Sequence, residues 1–412
     1  MLAHCYIVYS IAFYTTFMLH IANVVSDQKF IDNQIVYHDL TKDLCQHDYF
    51  IVTLDKQVEY RYLKSIERIE VISPKDFILR LKREKYDAVF IHCMKYIPLQ
   101  YVPKIPKQIK VFWMSWGVDI YCLPSDKPMI RLVLYNKKTE RYLDSIKKDI
   151  PVQKKSLTYY WNNLKFGIYK FLHENDMDLQ WNCNLYRKAV SRVDYFSGVY
   201  SSEYDLIKNN SFFHAKQVIY NYIDPQKFDN LCINKIPQGE NILIGNSADD
   251  RNNHLDILDF IETLKFFGRK IYLPMSYGGS REYIEFVKSE YSKILKNNLC
   301  VLESFMPLNE YQLLLDTCSV GIFMHERQEG NGNIMYILRN GGKVFLSETS
   351  VAYKYYMSLG IRVFSIQKEL NQKELETMLP VEIRQNNQKI LESISNREYR
   401  MKNLYDIYAL LN

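Results

Sequence analysis

Short runs of apolar and β-branched residues alternate along the chain with longer stretches whose apolar positions recur every three or four residues. Such alternation is typical of parallel sheets covered by helices, so we expect an α/β protein. The first half is predicted to hold strands over 18–25, 49–54, 68–72, 87–92, 110–116, 193–199 and 217–220. The second half is predicted to hold strands over 241–245, 270–273, 299–302, 320–324, 343–346 and 362–365, and helices over 253–267, 280–296, 308–317, 333–340 and 350–359.

The chain is long enough for two domains with separate cores, since it has 412 residues, of which 47% are hydrophobic and 24% charged. The stretch 223–240 contains two prolines and no sustained period, so it is the predicted linker. We expect a Rossmann-like N-terminal domain over 18–222, with a basic insertion at 131–171, and a Rossmann-like C-terminal domain over 241–379. Residues 380–412 are predicted to be a charged helix or helix pair that crosses back over the first lobe.

The first 25 residues contain no Lys, Arg, Asp or Glu, which raises the alternatives of a signal peptide or membrane anchor. No basic region precedes the apolar run and no cleavage site of the Ala-x-Ala kind follows it. We therefore interpret 18–25 as a buried first strand, and residues 1–17 as an upstream extension or apolar leader. An anchor remains the alternative.

Charge is concentrated in one segment. The net charge of +6 is small for this length and gives little support for nucleic-acid binding. Residues 131–170, however, contain ten basic and three acidic residues, together with aromatic runs at 159–161 and 166–171. Basic residues with aromatic neighbours favour an anionic membrane surface, and a solvated helical insertion is the alternative. The eight cysteines are widely spaced, which favours reduced thiols in the cytoplasm over disulfides or a zinc site.

The strongest local motif is the apolar strand at 242–244, which breaks into small and polar residues before a helix. Ligands of open α/β sheets bind at the carboxyl ends of strands. Gly245 and Ser247 allow a close approach of the backbone, and the amides at the next helix start suit a phosphate. The alternative is an ordinary turn with a polar cap.

A second strand at 320–324 leads into a polar loop with two glycines before a helix. Gly330 and Gly332 expose amides at a helix N-terminus, and Arg327 is suited to neutralise a diphosphate there. The predicted role is a clamp on a leaving group. In the alternative, the glycines only make the turn and Arg327 pairs with Glu329.

Two further strand ends carry candidate residues. The loop over 274–279, which includes two glycines, is a candidate to line a nucleotide base or ribose. In the first half, Trp113, Trp116 and Asp119 follow a buried strand, and an Asp in that place could accept a proton from a sugar hydroxyl. His92 is more plausibly a hydrogen-bonded core histidine.

The motifs Gly245-Asn-Ser-x-Asp249-x-x-Asn252-x-His254, Pro274-Met-x-Tyr277 and Arg327-Gln328-x-Gly330-x-Gly332, with Trp116-Gly-x-Asp119-x-Tyr121 upstream, keep their order and spacing. Together they resemble the bacterial 4-acetamido-4,6-dideoxygalactose (Fuc4NAc) transferase family over roughly 18–364. The chain departs from the family pattern at Ala248, at Asp250-Arg251 and at Glu329.

The resemblance implies two Rossmann-like lobes of the GT-B glycosyltransferase type, with the donor on the C-terminal lobe and the acceptor on the N-terminal lobe. It implies a hexosyltransferase that moves a Fuc4NAc-like sugar from dTDP to a polyprenyl-diphosphate-linked saccharide, at the cytoplasmic face of the bacterial inner membrane. We expect no metal or other cofactor, since Asp176-Met177-Asp178 lies in a helix-like stretch and not at a strand end. The alternatives are a two-lobed sugar-nucleotide epimerase and a non-catalytic scaffold on the membrane surface.

Under this interpretation Asp119 is the candidate base and Arg327 stabilises the leaving diphosphate. The residues expected to bind the donor are Gly245, Asn246, Ser247, Asp249, Asn252, His254, Pro274, Met275, Tyr277, Gln328, Gly330, Asn331, Gly332 and Asn333.

Overall fold

The computed structural model describes residues 18–28, 30–55, 58–121, 134–149, 183–221 and 235–411. The chain divides into two compact units. Unit 1 comprises Met1–Arg131, Ser156–Asp229 and Asn396–Asn412, and unit 2 comprises Leu132–Lys155 and Asn230–Ser395. The first part of the basic insertion thus groups with unit 2, and not with the N-terminal domain in which we expected it. Most of the predicted linker lies outside the described residues.

Unit 1 is built on a seven-stranded sheet in the order β3-β2-β1-β4-β5-β6-β7, and every pairing is parallel. All five residues of β4 are buried, because helices cover both faces of the sheet. The strands are β1 Leu19–Val24, β2 Cys45–Val52, β3 Ile69–Ile72, β4 Ala88–His92, β5 Lys110–Met114, β6 Tyr195–Ser197 and β7 Lys216–Gln217.

The helices of the first half begin and end within a few residues of turn or capping signals. Ser73 accepts a hydrogen bond from the Asp76 amide, and Pro74 follows it at the first helical position, which suits its missing N–H group. The helices are α1 Ile31–Asp39, α2 Pro74–Arg83, α3 Val118–Tyr121, α4 Lys137–Asp149, α5 Cys183–Val190 and α6 Glu203–Ile207.

Unit 2 has a six-stranded parallel sheet in the order β10-β9-β8-β11-β12-β13. The strands are β8 Asn241–Ile244, β9 Ile271–Pro274, β10 Leu299–Leu302, β11 Cys318–Phe323, β12 Lys343–Leu346 and β13 Phe364–Ser365. The order 3-2-1-4-5-6 is that of a Rossmann fold and recurs in unit 1. The predicted α/β class with two Rossmann-like lobes is therefore confirmed.

The helices of the second half follow the predicted ones closely. Serine caps define two of the starts, because Ser280 accepts from the Tyr283 amide and Ser350 from the Tyr353 amide. The helices are α7 His254–Ile261, α8 Arg281–Leu295, α9 Leu308–Asp316, α10 Asn331–Arg339, α11 Val351–Ser358, α12 Ile366–Glu369, α13 Gln372–Glu376, α14 Val381–Ser393 and α15 Arg397–Ala409.

The last helix, α15, belongs to unit 1 although it follows unit 2 along the chain. Its buried Leu404, Ile407 and Tyr408 share a hydrophobic cluster with Leu19 and Phe90 of the unit 1 sheet. The two C-terminal helices are thus divided, since α15 groups with unit 1 and α14 with unit 2.

A polar network lies within the same core. The His38 imidazole bonds the Tyr49 and Tyr220 hydroxyls, each at 2.8 Å, and stacks on His47 with ring centroids 3.8 Å apart. His47 Nε2 is 2.8 Å from the Tyr408 hydroxyl of α15. Burial lowers the pKa of His38 well below its usual value and lowers that of His47 to about 3. These imidazoles are therefore neutral when the protein is folded.

Candidate functional site

Three loops meet at the carboxyl edge of the unit 2 sheet, because they follow the adjacent strands β9, β8 and β11. The Ala248 amide of the β8 loop donates to the Tyr277 carbonyl of the β9 loop at 2.8 Å. Asn253 Nδ2 donates to the Met324 carbonyl after β11 at 3.0 Å. The three motifs that the sequence singled out in this half are thus brought together at one place.

In the β8 loop, most of the residues that we expected to bind the donor instead contact one another and fix the backbone conformation of the loop. The Asn252 side chain is buried, accepts from the Asn246 amide at 3.1 Å and donates to Ser247 Oγ at 3.2 Å. Gly245 has φ +69, and a Cβ there would lie 3.0 Å from His254 Nε2. Only glycine fits this position without strain. The loop is therefore tightly organised from within.

His254 is buried and its Nδ1 lies 3.2 Å from the Tyr283 hydroxyl. Burial lowers the pKa of this imidazole to about 3, so the ring is neutral. Asp249 and Arg251 form an ion pair in the same loop, with Nε 2.6 Å from Oδ1. Burial alone would raise the pKa of Asp249, but its hydrogen bonds to Arg251 lower it.

The β9 loop contributes one exposed ring and one close backbone contact. Tyr277 is 56% exposed, and its hydroxyl is 3.4 Å from Asn246 Nδ2. Gly279 has φ +67, and a Cβ on it would lie 2.2 Å from the Ala248 carbonyl oxygen. Pro274 ends the strand and Met275 is buried, so these two residues support the loop from below.

In the β11 loop the Arg327 guanidinium pairs with Glu329, with Nη2 2.6 Å from Oε1. This is the pairing that the sequence left open as the alternative to a free diphosphate clamp. Neither side chain is more than 14% exposed. The preceding His325 is fully buried, and its Nδ1 lies 3.0 Å from the Arg327 carbonyl. Gln328 follows as a half-buried residue.

Helix α10 starts directly after this loop. Gly330 caps it with φ +60, and a Cβ there would lie 3.2 Å from Asn246 Oδ1 of the β8 loop. Asn331 accepts from the Tyr356 hydroxyl at 2.7 Å. A Cβ on Gly332 would meet open space, so the first-turn amides of Gly332 and Asn333 can be approached closely.

Five buried polar atoms on these loops have no hydrogen-bond partner among the described residues. They are Asn246 Oδ1, His254 Nε2, His325 Nε2, Arg327 Nε and Glu329 Oε2. Buried polar atoms are nearly always paired in native proteins, so such a group calls for a ligand or ordered water. The loops carry the features of a site for a polar ligand beside a helix N-terminus.

The start of α4 also reaches these loops, which the sequence did not predict. Asp256 of α7 accepts from the Lys138 and Thr139 amides at 2.8 and 3.0 Å, and so caps α4. Asn253 Oδ1 accepts from the Asn136 amide at 2.8 Å. These contacts explain why this part of the basic insertion groups with unit 2. No motif noted in the sequence marked these contacts.

In unit 1 the carboxylate of Asp119 is fully buried and accepts four hydrogen bonds. Oδ2 accepts from the Met94 amide at 2.8 Å and from Trp113 Nε1 at 2.5 Å, and Oδ1 accepts from Ser115 Oγ at 2.8 Å and the Trp116 amide at 3.1 Å. A carboxylate has about four acceptor positions. Protein donors therefore occupy the positions that a base needs for a sugar hydroxyl, and Asp119 holds the strand-end loop together.

Two other titratable groups lie in the same unit. The buried Glu203 carboxyl accepts from the Tyr121 hydroxyl at 2.7 Å and the Tyr200 amide at 2.9 Å, and burial raises its pKa to about 7. The His92 ring is buried, with Nε2 3.2 Å from Asn23 Oδ1. His92 is thus a buried, hydrogen-bonded histidine of the core, which is the role that we preferred from the sequence.

Some expectations fall outside the described residues, among them the aromatic runs at 159–161 and 166–171 and the pair Asp176 and Asp178. Within the described part of the chain, no group of three or more His, Cys, Asp or Glu side chains is arranged to hold a metal ion. In the same part, none of the helices combines the length and apolar character needed to cross a bilayer.

Comparison with known proteins gives one family and many structural relatives. The family described as 4-alpha-L-fucosyltransferase glycosyl transferase group 56 matches residues 158–391, which is more than half of the chain. A glycosyltransferase from Rickettsia africae aligns with a TM-score of 0.55 at 12% identity, over 96% of this chain and 98% of its own. The apo form of the lipopolysaccharide outer core galactosyltransferase WaaB aligns with a TM-score of 0.54 at 9% identity, over 96% and 100%. HepE from Anabaena, in complex with UDP and glucose, aligns with a TM-score of 0.52 at 11% identity, over 96% and 99%.

Proposed function

Because the chain belongs to the 4-alpha-L-fucosyltransferase family, glycosyl transferase group 56, and is a hexosyltransferase of the GT-B fold, we propose that it transfers a 4-acetamido-4,6-dideoxyhexose from dTDP to a polyprenyl-diphosphate-linked saccharide. The transfer extends a lipid-linked glycan of the kind used for bacterial surface polysaccharides. The single observation that carries the donor site is the group of five polar atoms on the β8 and β11 loops that have no partner among the described residues.

The diphosphate of the donor is proposed to lie against the N-terminus of α10, where the amides of Gly332 and Asn333 and the helix dipole favour negative charge. Arg327 Nε has no partner among the described residues, while Nη2 is held by Glu329. The guanidinium is therefore fixed in place with one donor available. As the glycosidic bond to phosphate breaks, these groups stabilise the charge that develops on the leaving diphosphate.

The nucleotide base and ribose are proposed to lie near Tyr277, whose exposed ring stands beside Asn246. A nucleotide-sugar donor is supported by the relative that binds UDP and glucose. The acceptor is proposed to bind unit 1, at the cytoplasmic face of the bacterial inner membrane, with the basic insertion against anionic lipid. This part depends on the charge pattern of the sequence and on the family resemblance. The proposed reaction uses no metal ion.

A donor panel with a lipid acceptor tests the proposal. Purified protein is incubated with dTDP-Fuc4NAc, dTDP-glucose, UDP-glucose and GDP-fucose, and thermal shift reports binding. A water-soluble polyprenyl-diphosphate disaccharide is then added, and the product is followed by mass spectrometry. We expect dTDP-Fuc4NAc to bind most strongly and one sugar residue to be added to the lipid, with chelator present or absent.

The rival functions give different results in the same assay. An epimerase releases a changed sugar nucleotide with no lipid acceptor present. A membrane scaffold shows no thermal shift with any of the nucleotides. Either result would refute the proposal, and loss of transfer on adding EDTA would refute the metal-independent form of it.

A further inference from the structure

A cavity of about 470 Å³ lies in unit 1, at the amino-terminal edge of the sheet. It is surrounded by the residues that precede or begin β5, β6 and β7. Ligands of open α/β sheets usually bind at the opposite, carboxyl edge, where Asp119 lies. The cavity is therefore separate from the strand ends to which the glycosyltransferase chemistry is assigned. Its lining residues are Lys107, Lys110, Ser191, Arg192, Val193, Asp194, Tyr195, His214 and Lys216.

Positive charge dominates the lining. Three lysines and one arginine surround the cavity, against the single carboxylate of Asp194. That carboxylate is already engaged, because Oδ2 accepts from the Val111 amide at 2.8 Å and from Arg192 Nη1 at 2.9 Å. Within the described residues, no acidic side chain lies at ion-pair distance from Lys107, Lys110 or Lys216. Among the described residues, the lysine charges at this cavity thus have no acidic counter-ion.

Part of the lining is rigid. Arg192 Nη2 donates to the carbonyls of Pro106 and Ile109 at 2.9 and 2.6 Å, and its side chain is only 14% exposed. The Tyr195 ring is stacked on Phe112, with centroids 4.5 Å apart and an angle of 18° between the planes. A fixed guanidinium and a fixed ring therefore form the floor of the cavity.

The sheet register places two lysines on either side of this floor. Tyr195 pairs with Phe112 on β5 and with Lys216 on β7, so these three side chains share one face of the sheet. Lys110 is two residues before Phe112 on the same strand and shares that face as well. Two exposed ammonium groups thus flank one aromatic ring at the same edge.

From this arrangement we propose that the cavity is a binding site for a phosphate group, separate from the donor site. Ammonium groups bind phosphate oxygens, whereas the Arg192 guanidinium is held by Asp194 and main-chain carbonyls and supports the site with its charge. The volume admits a phosphomonoester with a small organic substituent. The same chemistry is present in the headgroup of an anionic phospholipid and in a soluble phosphorylated metabolite. This inference does not depend on the identity of the transferred sugar.

The test uses the full-length protein and a charge-matched pair of variants. The double substitution Lys110→Gln/Lys216→Gln removes the flanking ammonium groups, and Lys373→Gln/Lys389→Gln removes two exposed lysines from unit 2. Isothermal titration with inorganic phosphate and with sn-glycerol 3-phosphate, at constant ionic strength, measures binding of soluble phosphate. Flotation with vesicles of phosphatidylglycerol and phosphatidylcholine, against vesicles of phosphatidylcholine alone, measures binding of the headgroup.

We expect saturable binding in at least one arm, weakened roughly 25-fold by Lys110→Gln/Lys216→Gln and unchanged by the control pair, since each of the two ammonium groups near a phosphate oxygen is worth about fivefold in water. The arm that responds identifies the source of the phosphate. Absence of saturable binding in both arms would overturn the proposal. So would equal losses in the two double variants, or binding that is lost in Arg327→Ala and retained in Lys110→Gln/Lys216→Gln, because the ligand would then occupy the donor loops.

Discussion

The polar side chains at the strand ends differ between unit 1 and unit 2. In unit 1 the buried Asp119 has all of its acceptor positions filled by protein donors. In unit 2 five buried polar atoms of comparable depth lack partners among the described residues. A saturated group stabilises a loop by itself, whereas an unsaturated group has a free-energy cost that a ligand can remove. The difference therefore separates Asp119, which stabilises its own loop, from five polar atoms of the unit 2 loops whose free-energy cost a bound ligand would remove.

The largest expected effect is that of Arg327→Ala on turnover. Loss of one positioned donor to the leaving diphosphate should lower kcat/KM by about 10²- to 10³-fold. Arg281→Ala is the matched control, since the Arg281 side chain is 84% exposed in the same unit. Initial rates with the preferred sugar nucleotide, corrected for the folded fraction, measure the effect. Equal rates for the two variants would contradict the assignment of Arg327 to the leaving group.

The second prediction concerns Asp119→Asn, which should act on stability. An amide nitrogen in place of one oxygen faces two donors, so at least one buried N–H or O–H group loses its acceptor at a cost of about 2 to 3 kcal/mol. None of the four tryptophans lies in the segments of unit 2, so urea unfolding followed by tryptophan fluorescence reports on unit 1. A variant of wild-type stability whose kcat has fallen a thousandfold would instead support Asp119 as the base.

The third prediction concerns the decrease in the free energy of unfolding of unit 1 at acidic pH. The unfolded chain protonates its histidines near pH 6.5, whereas the folded protein keeps His47 and His92 neutral down to about pH 3. Stability is thus fully present above pH 6.5 and falls below it, by about 1.4 kcal/mol per pH unit for each of these imidazoles. Urea unfolding at several pH values between 7 and 4.5 measures the slope.

His47→Gln should make this slope shallower by about 1.4 kcal/mol per pH unit, because one buried imidazole is removed. His214→Gln is the control, since His214 is exposed and should leave the slope unchanged. An identical slope in both variants would show that the buried histidine network does not set the acid limit.

The smallest expected effect distinguishes between two glycines of unit 2 that both have a positive φ angle. Gly279 has φ +67 and Gly268 has φ +69, so alanine at either position should cost about 1 to 2 kcal/mol. Only at Gly279 would the new Cβ meet the Ala248 carbonyl oxygen, at 2.2 Å, and push the β8 and β9 loops apart. We expect Gly279→Ala alone to weaken donor affinity, by roughly tenfold, in a calorimetric titration. Equal donor affinities would exclude a role for this close approach.

Many strands of the two sheets could be predicted from the sequence because they are short apolar runs between turn residues. β10 at Leu299–Leu302 and β12 at Lys343–Leu346 have the predicted bounds, since each is a short apolar run between turn residues. Helix α1 was not predicted, because it buries the polar Gln34 and His38 and so breaks the apolar period. Periodicity reports burial only where buried residues are apolar.

The candidate site could be predicted in part. The order of the motifs placed Gly245, Tyr277 and Gly330 at adjacent strand ends, and the structure brings their loops together. The sequence could not decide whether Arg327 pairs with Glu329, because that depends on side-chain geometry within one loop. The sequence also could not predict that protein donors fill the acceptor positions of Asp119, because one of them is the amide of Met94. Nor could it predict the contact of Thr139 with Asp256, which lies 117 residues away.

Helix α15 has a consequence for biosynthesis. The surface of the unit 1 sheet that includes Leu19 and Phe90 is covered by Leu404 and Ile407, which are made only after all of unit 2. At a synthesis rate of about 5 to 20 residues per second, this surface remains uncovered for roughly 10 to 30 s before α15 is made. During that interval the nascent chain exposes this apolar face, and unit 1 cannot complete its core until α15 has been made.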